Sequence, residues 1–462
     1  MDRVPELKEI LASCIAVVGV GVTGKSVAQY LVEQGSDFIL IDEKVQTFAD
    51  REVLSAANIE QIEAAKIRWA IVSPGWKSSH PTLLALRASG AELISEIDFA
   101  WIMKAALNPG QKWVALTGTN GKTTTVQMVE SIFQSAEVRG RACGNVGKSV
   151  VQTLAEDASL DVLALELSSF QIEWSELPKF AAIAVLNIAE DHIDWHGSFD
   201  GYANAKLKLL SHTEVAVLNS LDSEIVNRTS GWNGRRVFFS LDTPRSGEIG
   251  LVENLLVDRA FVPSAEAAES FGELADIKPA VPHNVLNAMA AAGLAAALAI
   301  SHEAIAAGLR AFTLDHHRLE LVAEKDGVKW INDSKATNPH AAQAALTSFE
   351  SVVWIAGGLA KGAAMDELVA RMNKRIRAAI LIGTDRELIA HALAEYAPEI
   401  PVVRVDGASA DELMSEVVGE AIKFAKVGDA VLLAPACASM DQFTSYAHRG
   451  DAFRRAVEGL LQ

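Results

Sequence analysis

Gly118-Thr-Asn-Gly-Lys-Thr123 is the segment whose residue types and spacing speak most directly of chemistry. A phosphate chain carries several negative charges, and backbone N–H groups can meet them only where glycines let the main chain come close. A lysine then contacts the outer phosphates, and the hydroxyl of the next residue reaches a magnesium ion. Lys122 and Thr123 would take those roles, with Gly118, Thr119, Asn120, Gly121 and Thr124 forming the rest of the loop. The motif is two residues shorter than GxxxxGK[ST], so it is a variant. A glycine turn with a surface lysine is the plain alternative. Against it stand an apolar strand before the loop, Trp113 to Leu116, and a helical face after it, Val126, Val129, Phe133 and Ala136.

Other polar residues also end apolar runs. Glu166 follows Val162–Leu165, where an α/β sheet places its ligands and where a hard cation would find an oxygen donor. It could equally be a capping or salt-bridged glutamate. Asn187-Ile-Ala-Glu-Asp-His192 ends the next run, with Asp194, His196 and Lys206 close behind. His192 is a metal-ligand or proton-carrier candidate, although such clusters are often hydrogen-bonded turns. Gly19-x-Gly-x-x-Gly24 with Asp42 would suit a dinucleotide, the acid meeting ribose hydroxyls, but taken alone it is a weak signal, since such turns bind many phosphates or simply pack tightly. Near the end of the chain, three polar small-residue loops follow strands: Asn332–Asn338, Gly357–Lys361 and Ala434–Phe443. One shared site is expected there, with Lys361 a cationic anchor for a carboxylate and Cys437 a buried packing residue.

The elements that must position these residues fall into three segments. The first opens strand, glycine turn, helix, strand, acid, the start of a doubly wound sheet. The second alternates short apolar runs with helical stretches, as in a mostly parallel sheet, while 231–282 has an antiparallel look. The third contains five candidate strands separated by helical patterns. The fold expected is α/β in three domains: a Rossmann-like domain at 1–107, a central P-loop ATPase-type domain at 108–313 and a Rossmann-like domain at 314–462. The turn chemistry of 107–111 and the linker 312–318 mark the boundaries.

Composition removes several functions. The formal net charge of the 462 residues is −18, with no long basic run, which argues against nucleic acid and anionic membranes. The longest apolar run, 288–300, falls short of the ~18 residues needed to span a bilayer and reads as a buried helix. Three isolated cysteines form neither a metal pattern nor a disulfide framework. With no secretory leader pattern at the N-terminus, a cytoplasmic protein is expected.

The motifs GTNGKTT, LELSSFQ, NIAEDH, YANAK, HNVLNA, HHR, NDSKATN, GGLAKG and PACASMDQF occur in this order across all three segments. In this the chain resembles the Mur ligases of peptidoglycan precursor synthesis, and SSFQ, NDSKATN and ACASMDQF favour the D-glutamate-adding branch. The resemblance implies ATP and two Mg²⁺ ions as cofactors. UDP-N-acetylmuramoyl-L-alanine and D-glutamate are then the substrates, and a monomer is expected. It assigns Val22, Thr23, Asp42, Ser73, Asn145, Ser168 and Gln171 to the UDP substrate. The phosphate loop, Asn284, Asn287, Arg318 and Asp333 go to ATP. Thr123, Glu166, His192 and Lys206 go to metal, Lys206 as a carbamate, since only that modification would give lysine an anionic oxygen donor. Thr337, Lys361, Ser439 and Tyr446 go to the amino acid, with Lys335 nearby. Lys122, His192 and Lys206 are the implied catalytic residues. Leu359 and Ala360 stand where an acid is common, Met365 near a position often aromatic, and Tyr446 where phenylalanine is usual.

The implied reaction activates a carboxylate as an acyl-phosphate, which an amine then attacks through a tetrahedral intermediate. A nucleotide-driven switch is the rival of another class, but no Asn-Lys-x-Asp base-reading motif is present. A dehydrogenase using the first glycine turn is a second, and relatives that add a different amino acid or extend folate are nearer ones.

Overall fold

The computed structural model describes residues 4–64 and 66–461, which form two compact units, Met1–Ala280 with Asn284–Phe312, and Val281–His283 with Thr313–Gln462. The first unit holds two sheets. Strands β1 (Ile15–Val18), β2 (Phe38–Asp42), β3 (Thr47–Phe48), β4 (Arg51–Ser55), β5 (Trp69–Val72) and β6 (Glu92–Ser95) lie in the order β3-β4-β2-β1-β5-β6. All pairings are parallel except that of β3 with β4. β1 and β5 are buried at every position, as continuous apolar runs must be when helices cover both faces of a parallel sheet. The chain leaves β1 to one side for β2 and returns to the other side for β5, so the Gly19–Gly24 turn sits at a topological switch point.

The second sheet comprises β7 (Lys112–Thr117), β8 (Gly140–Gly144), β9 (Val162–Glu166), β10 (Ala182–Val185), β11 (Val215–Asn219), β12 (Arg235–Phe239), β13 (Ile249–Val252), β14 (Leu255–Asp258) and β15 (Glu269–Glu273). Their order is β15-β14-β13-β12-β11-β10-β7-β9-β8. β7 is therefore flanked by β9 and β10, and the phosphate-type loop leaves the sheet at its switch point. The antiparallel look of 231–282 holds for β13, β14 and β15, whereas β12 and β13 still pair in parallel with their predecessors. The apolar run at 288–300 is the buried part of a helix, Pro282–Ala297, which stops short of the run's end.

In the second unit β16 (Glu320–Lys325), β17 (Val328–Asn332), β18 (Val352–Gly357), β19 (Ile376–Ile382), β20 (Val402–Arg404) and β21 (Ala430–Leu433) run β16-β17-β21-β18-β19-β20. The last strand inserts between β17 and β18, in parallel with both. Three loops remote in sequence thereby leave adjacent strand ends on one edge. Among the described residues no helix is long and apolar enough to cross a membrane.

Candidate active site

The loop after β7 is shaped by close contacts that only glycine tolerates. Gly121 caps the helix Lys122–Ser135 at φ +83°, and a Cβ there would lie 2.4 Å from Asn287 Oδ1. Asn287 and Asn284 are buried, on the helix Pro282–Ala297. Asn187, which the sequence reading did not single out, braces the loop: its Oδ1 accepts from Asn120 N at 2.8 Å, and its carbonyl accepts from Thr119 N at 3.0 Å. Lys122 Nζ donates to the carbonyls of Gly118 and Thr119 at 2.8 and 3.0 Å, so it curls over the loop it belongs to. Thr123 and Thr124 are buried at the helix start, where the helix dipole favours an anion.

Around this loop stand three further residues assigned to metal or catalysis, Glu166, Lys206 and His192. Glu166 ends β9 at 1% exposure; Asn145 Nδ2 donates to its Oε1 at 3.0 Å, while its buried Oε2 has no hydrogen-bond partner. An unpartnered buried carboxylate oxygen is costly, and a cation is the natural occupant of its lone pairs. Lys206, equally buried, donates to Gly118 O at 2.8 Å with its Nζ 4.6 Å from the Tyr202 ring centre. Burial holds this amine well below the ordinary lysine range; the Lys122 ammonium pushes the same way, and Asp191 and Glu166 oppose it. His192 sits at φ +52°, ahead of the short helix Ile193–His196, with Nε2 3.6 Å from Asp191. Burial also lowers its imidazole, opposed chiefly by Asp191. Among the described residues no group of three His, Cys, Asp or Glu side chains could hold a metal. A divalent ion here would draw on Thr123, Glu166, His192, water and phosphate oxygens, and the orphaned Glu166 oxygen fits that use.

The residues assigned to the UDP substrate divide into two kinds. Val22 is 73% exposed at the start of the helix Val22–Glu33, beside Thr23. Ser73 Oγ donates to Gly19 O at 2.8 Å, and Thr23 Oγ1 lies 3.4 Å from Ser73 Oγ, so the turn and the end of β5 form one surface. A Cβ on Gly24 would fall 1.8 Å from Gly19 O, which fixes glycine there. Asp42 is already engaged: burial would raise its pKa, yet N–H groups of Val20, Lys44 and Val45 outweigh it and the carboxyl is held low. Ser168 and Gln171 form a capping box on the helix Ser169–Trp174, a structural use of both side chains.

In the second unit the three loops are knitted together. Leu359 and Ala438 exchange backbone hydrogen bonds at 2.9 Å, and Gly357 N donates to Pro435 O at 2.8 Å. Arg449, which the sequence reading missed, is fully buried and joins all three. Its guanidinium donates to Ser334 Oγ and O at 3.0 Å, Cys437 O at 3.2 Å and Gly357 O at 3.5 Å. Lys361 holds φ +51° in the middle loop, an unusual conformation for lysine, and Ser439 is buried in the third. Thr337 precedes Asn338, the N-cap of the helix Pro339–Thr347. Lys335 Nζ lies 3.8 Å from the Tyr446 ring centre, a cation–π contact. Ala360 and Met365, two of the unusual positions, are buried in the apolar core beneath. Asp333, next to β17, accepts from Leu319 N at 3.2 Å; burial pushes its carboxyl up to about 7, with that N–H and Arg318 opposing. Cys437 is buried with its thiol pushed up to about 12, unlike a nucleophile.

Three family models match the chain: the Mur ligase MurD-like N-terminal domain over residues 13–95, the Mur ligase middle domain over 116–295, and the Mur ligase glutamate ligase domain over 317–437. The UDP-N-acetylmuramoylalanine–D-glutamate ligase of Streptomyces coelicolor is 44% identical, covering 96% of this chain and 98% of that one. That of Thermobifida fusca is 43% identical over 98% and 99%. Among solved structures, a pseudomurein peptide ligase type C from Methanothermus fervidus superposes with a TM-score of 0.62 at 19% identity, covering 97% of this chain and 100% of that one. With matches in all three segments and whole-length relatives above two-fifths identity, the chain belongs to the Mur ligase family.

Proposed function

We propose that the chain is an ATP-dependent ligase that adds D-glutamate to UDP-N-acetylmuramoyl-L-alanine in peptidoglycan precursor synthesis, by way of an acyl-phosphate. The whole-length likeness to D-glutamate ligases carries the choice of substrates. The phosphate-type loop at the sheet's switch point supports ATP as the activating group.

A carboxylate does not react with an amine, so its oxygen first attacks the γ-phosphorus and the bond to the β-phosphate oxygen breaks, releasing ADP. The amine of D-glutamate then attacks the acyl carbon; the tetrahedral intermediate collapses with loss of inorganic phosphate and a proton. Lys122 swings from the carbonyls of its own loop to the transferring phosphoryl group and offsets charge there. Thr123, Glu166, His192 and, after modification, Lys206 would hold two Mg²⁺ ions. When bound, these supply positive charge against the phosphate oxygens. The depressed basicity of Lys206 supports its reaction with carbon dioxide, which forms an N–C bond and releases a proton to give the carbamate. His192, whose imidazole pKa is lowered by desolvation, or a phosphate oxygen would accept the proton of the attacking amine. Thr337, Lys361, Ser439 and Tyr446 receive the amino acid, with Arg449 holding their loops. Val22, Thr23, Asp42, Ser73, Asn145, Ser168 and Gln171 receive the UDP substrate, Asp42 held by backbone bonds and Ser168 and Gln171 by a helix cap. Asn284 and Asn287 in the first unit, and Arg318 and Asp333 in the second, are the further residues proposed for ATP. The domain divisions proposed are 1–107, 108–313 and 314–462.

The deciding assay is phosphate release with ATP and UDP-N-acetylmuramoyl-L-alanine, offered D-glutamate, L-glutamate, lysine or diaminopimelate. Turnover with D-glutamate alone is expected. Release independent of acceptor, or preference for lysine or diaminopimelate, would overturn the proposal.

A further inference from the structure

We infer that Trp174 and Trp195 are positioning residues that clamp loop 73–79 of the first lobe onto the central lobe, holding the two ends of the UDP substrate's site at a fixed separation. The inference rests on the function proposed above. Trp195 Nε1 donates to Gly75 O at 3.3 Å, and Trp174 Nε1 donates to Trp76 O at 2.9 Å. Lys77 Nζ reaches the opposite way, to Asp194 O, at 3.1 Å. The loop is thus tied from both sides to two short helices, and each helix starts beside a residue of the reacting end. Ile193–His196 follows His192 directly, and Ser169–Trp174 lies just beyond Glu166.

At its other face the same loop shapes the glycine turn. Ser73 is bonded to Gly19, and a Cβ on Gly19 would stand 2.6 Å from Trp76 Nε1. Trp76 also meets His80 edge-on at 4.6 Å. Displacing Gly75 and Trp76 therefore displaces Ser73 and the wall of the turn. An indole N–H is only a donor and seeks some acceptor when half-buried, so one such bond would mean little. Here two indoles from different helices take consecutive carbonyls of a single loop. A cleft of about 880 Å³, lined in part by Lys77, Ser78, Trp174, Trp195 and His196, borders the loop, so packing on that side is incomplete; Trp76 and Trp174 rest against one apolar cluster, and the hydrogen bonds fix the loop's register on it. Phe170, centred 4.9 Å from Trp195, and His196, 4.5 Å away, keep the Trp195 ring in place independently of its N–H.

Replacing both tryptophans by phenylalanine removes the two donors and keeps aromatic rings in the packing. In Trp174→Phe/Trp195→Phe the KM for UDP-N-acetylmuramoyl-L-alanine should rise about tenfold, the scale of two lost hydrogen bonds. The Kd of the same compound, titrated without ATP, should weaken equally, while kcat and the KM values for ATP and D-glutamate stay within about twofold. A fall in kcat alone, an equal rise for ATP, or unchanged binding would overturn the clamp. Should the double variant not fold, Lys77→Met, at an exposed position, carries the same selective expectation at about threefold, and no change there would equally overturn it. If the unaltered enzyme does not bind UDP-N-acetylmuramoyl-L-alanine, the proposed function is what fails; if it binds and the variants bind as well, the clamp alone is wrong.

Discussion

Glu96 offers a pH experiment whose size follows from its surroundings. The side chain is 2% exposed at the start of the helix Glu96–Leu107, at the N-terminus of the helix Val150–Glu156. Its Oε1 accepts only a long bond, 3.4 Å, from Val151 N, and its Oε2 has no partner. Burial pushes its pKa from the ordinary 4.5 up to about 7, with the N–H groups of Val151 and Val150 opposing. Because the folded-state value is the higher, ionisation opposes folding. The group costs almost nothing below pH 4.5, and stability falls as pH rises through 7. Linkage gives a loss of about 1 kcal/mol at pH 5.5 and about 3 kcal/mol at pH 8. Glu96→Gln keeps the shape and never ionises. It should therefore stabilise the first unit by about 2 kcal/mol more at pH 8 than at pH 5.5. Asp98 and Asp333 are also raised by burial, so the wild-type profile alone is composite; the difference between wild type and variant isolates Glu96. Thermal unfolding followed by tryptophan fluorescence, with Trp113 buried in the same unit, reads this as a gap of several degrees that widens with pH. An equal shift at both pH values would show that the carboxyl ionises as freely in the folded protein as in the unfolded chain, and the reasoning would fail.

The remaining predictions concern the site. Lys122→Ala should lower turnover by about 10²-fold or more in steady-state phosphate release, the scale of one lost charge-stabilising group, and near-normal turnover would remove its role. Lys361→Ala should raise the KM for D-glutamate far more than that for ATP; equal increases would argue against the pocket assignment. Arg449→Met leaves the Ser334 and Cys437 carbonyls without the guanidinium, at roughly 3 kcal/mol. Hydrogen exchange of the Gly357 and Ala438 amides, which cross-link the loops, should then quicken by about 10²-fold, and unchanged protection would mean that Arg449 does not tie them.

Residues whose role is set by neighbours in the chain are legible in the amino-acid sequence alone. The phosphate loop can be read there because its glycines, lysine and threonine must sit in one stretch between a strand and a helix. The three loops of the second unit can be placed together because each ends an apolar run, and the sheet order brings those ends side by side. Arg449 cannot be found that way, since its partners come from loops more than a hundred residues apart in part and its helix shows only an ordinary amphipathic pattern. Ser168 and Gln171 show the opposite limit. The spacing that resembles a substrate motif is also the spacing of a capping box, and the structure uses it as one. Asp42 likewise suits a ribose by position, and three backbone N–H groups also hold its carboxylate in place. Trp174 and Trp195 carry no local motif in the sequence; their N–H partners, Trp76 O and Gly75 O, lie about a hundred residues earlier in the chain.

The central placement of β21 also bears on synthesis. A ribosome stalled before residue 430 would leave β17 and β18 made but unjoined, two hydrogen-bonding edges facing an absent partner. Such a nascent chain would offer both edges to other chains and would lack the third of the three knitted loops. The sheet of this unit is therefore completed only once residues 430–433 have been made.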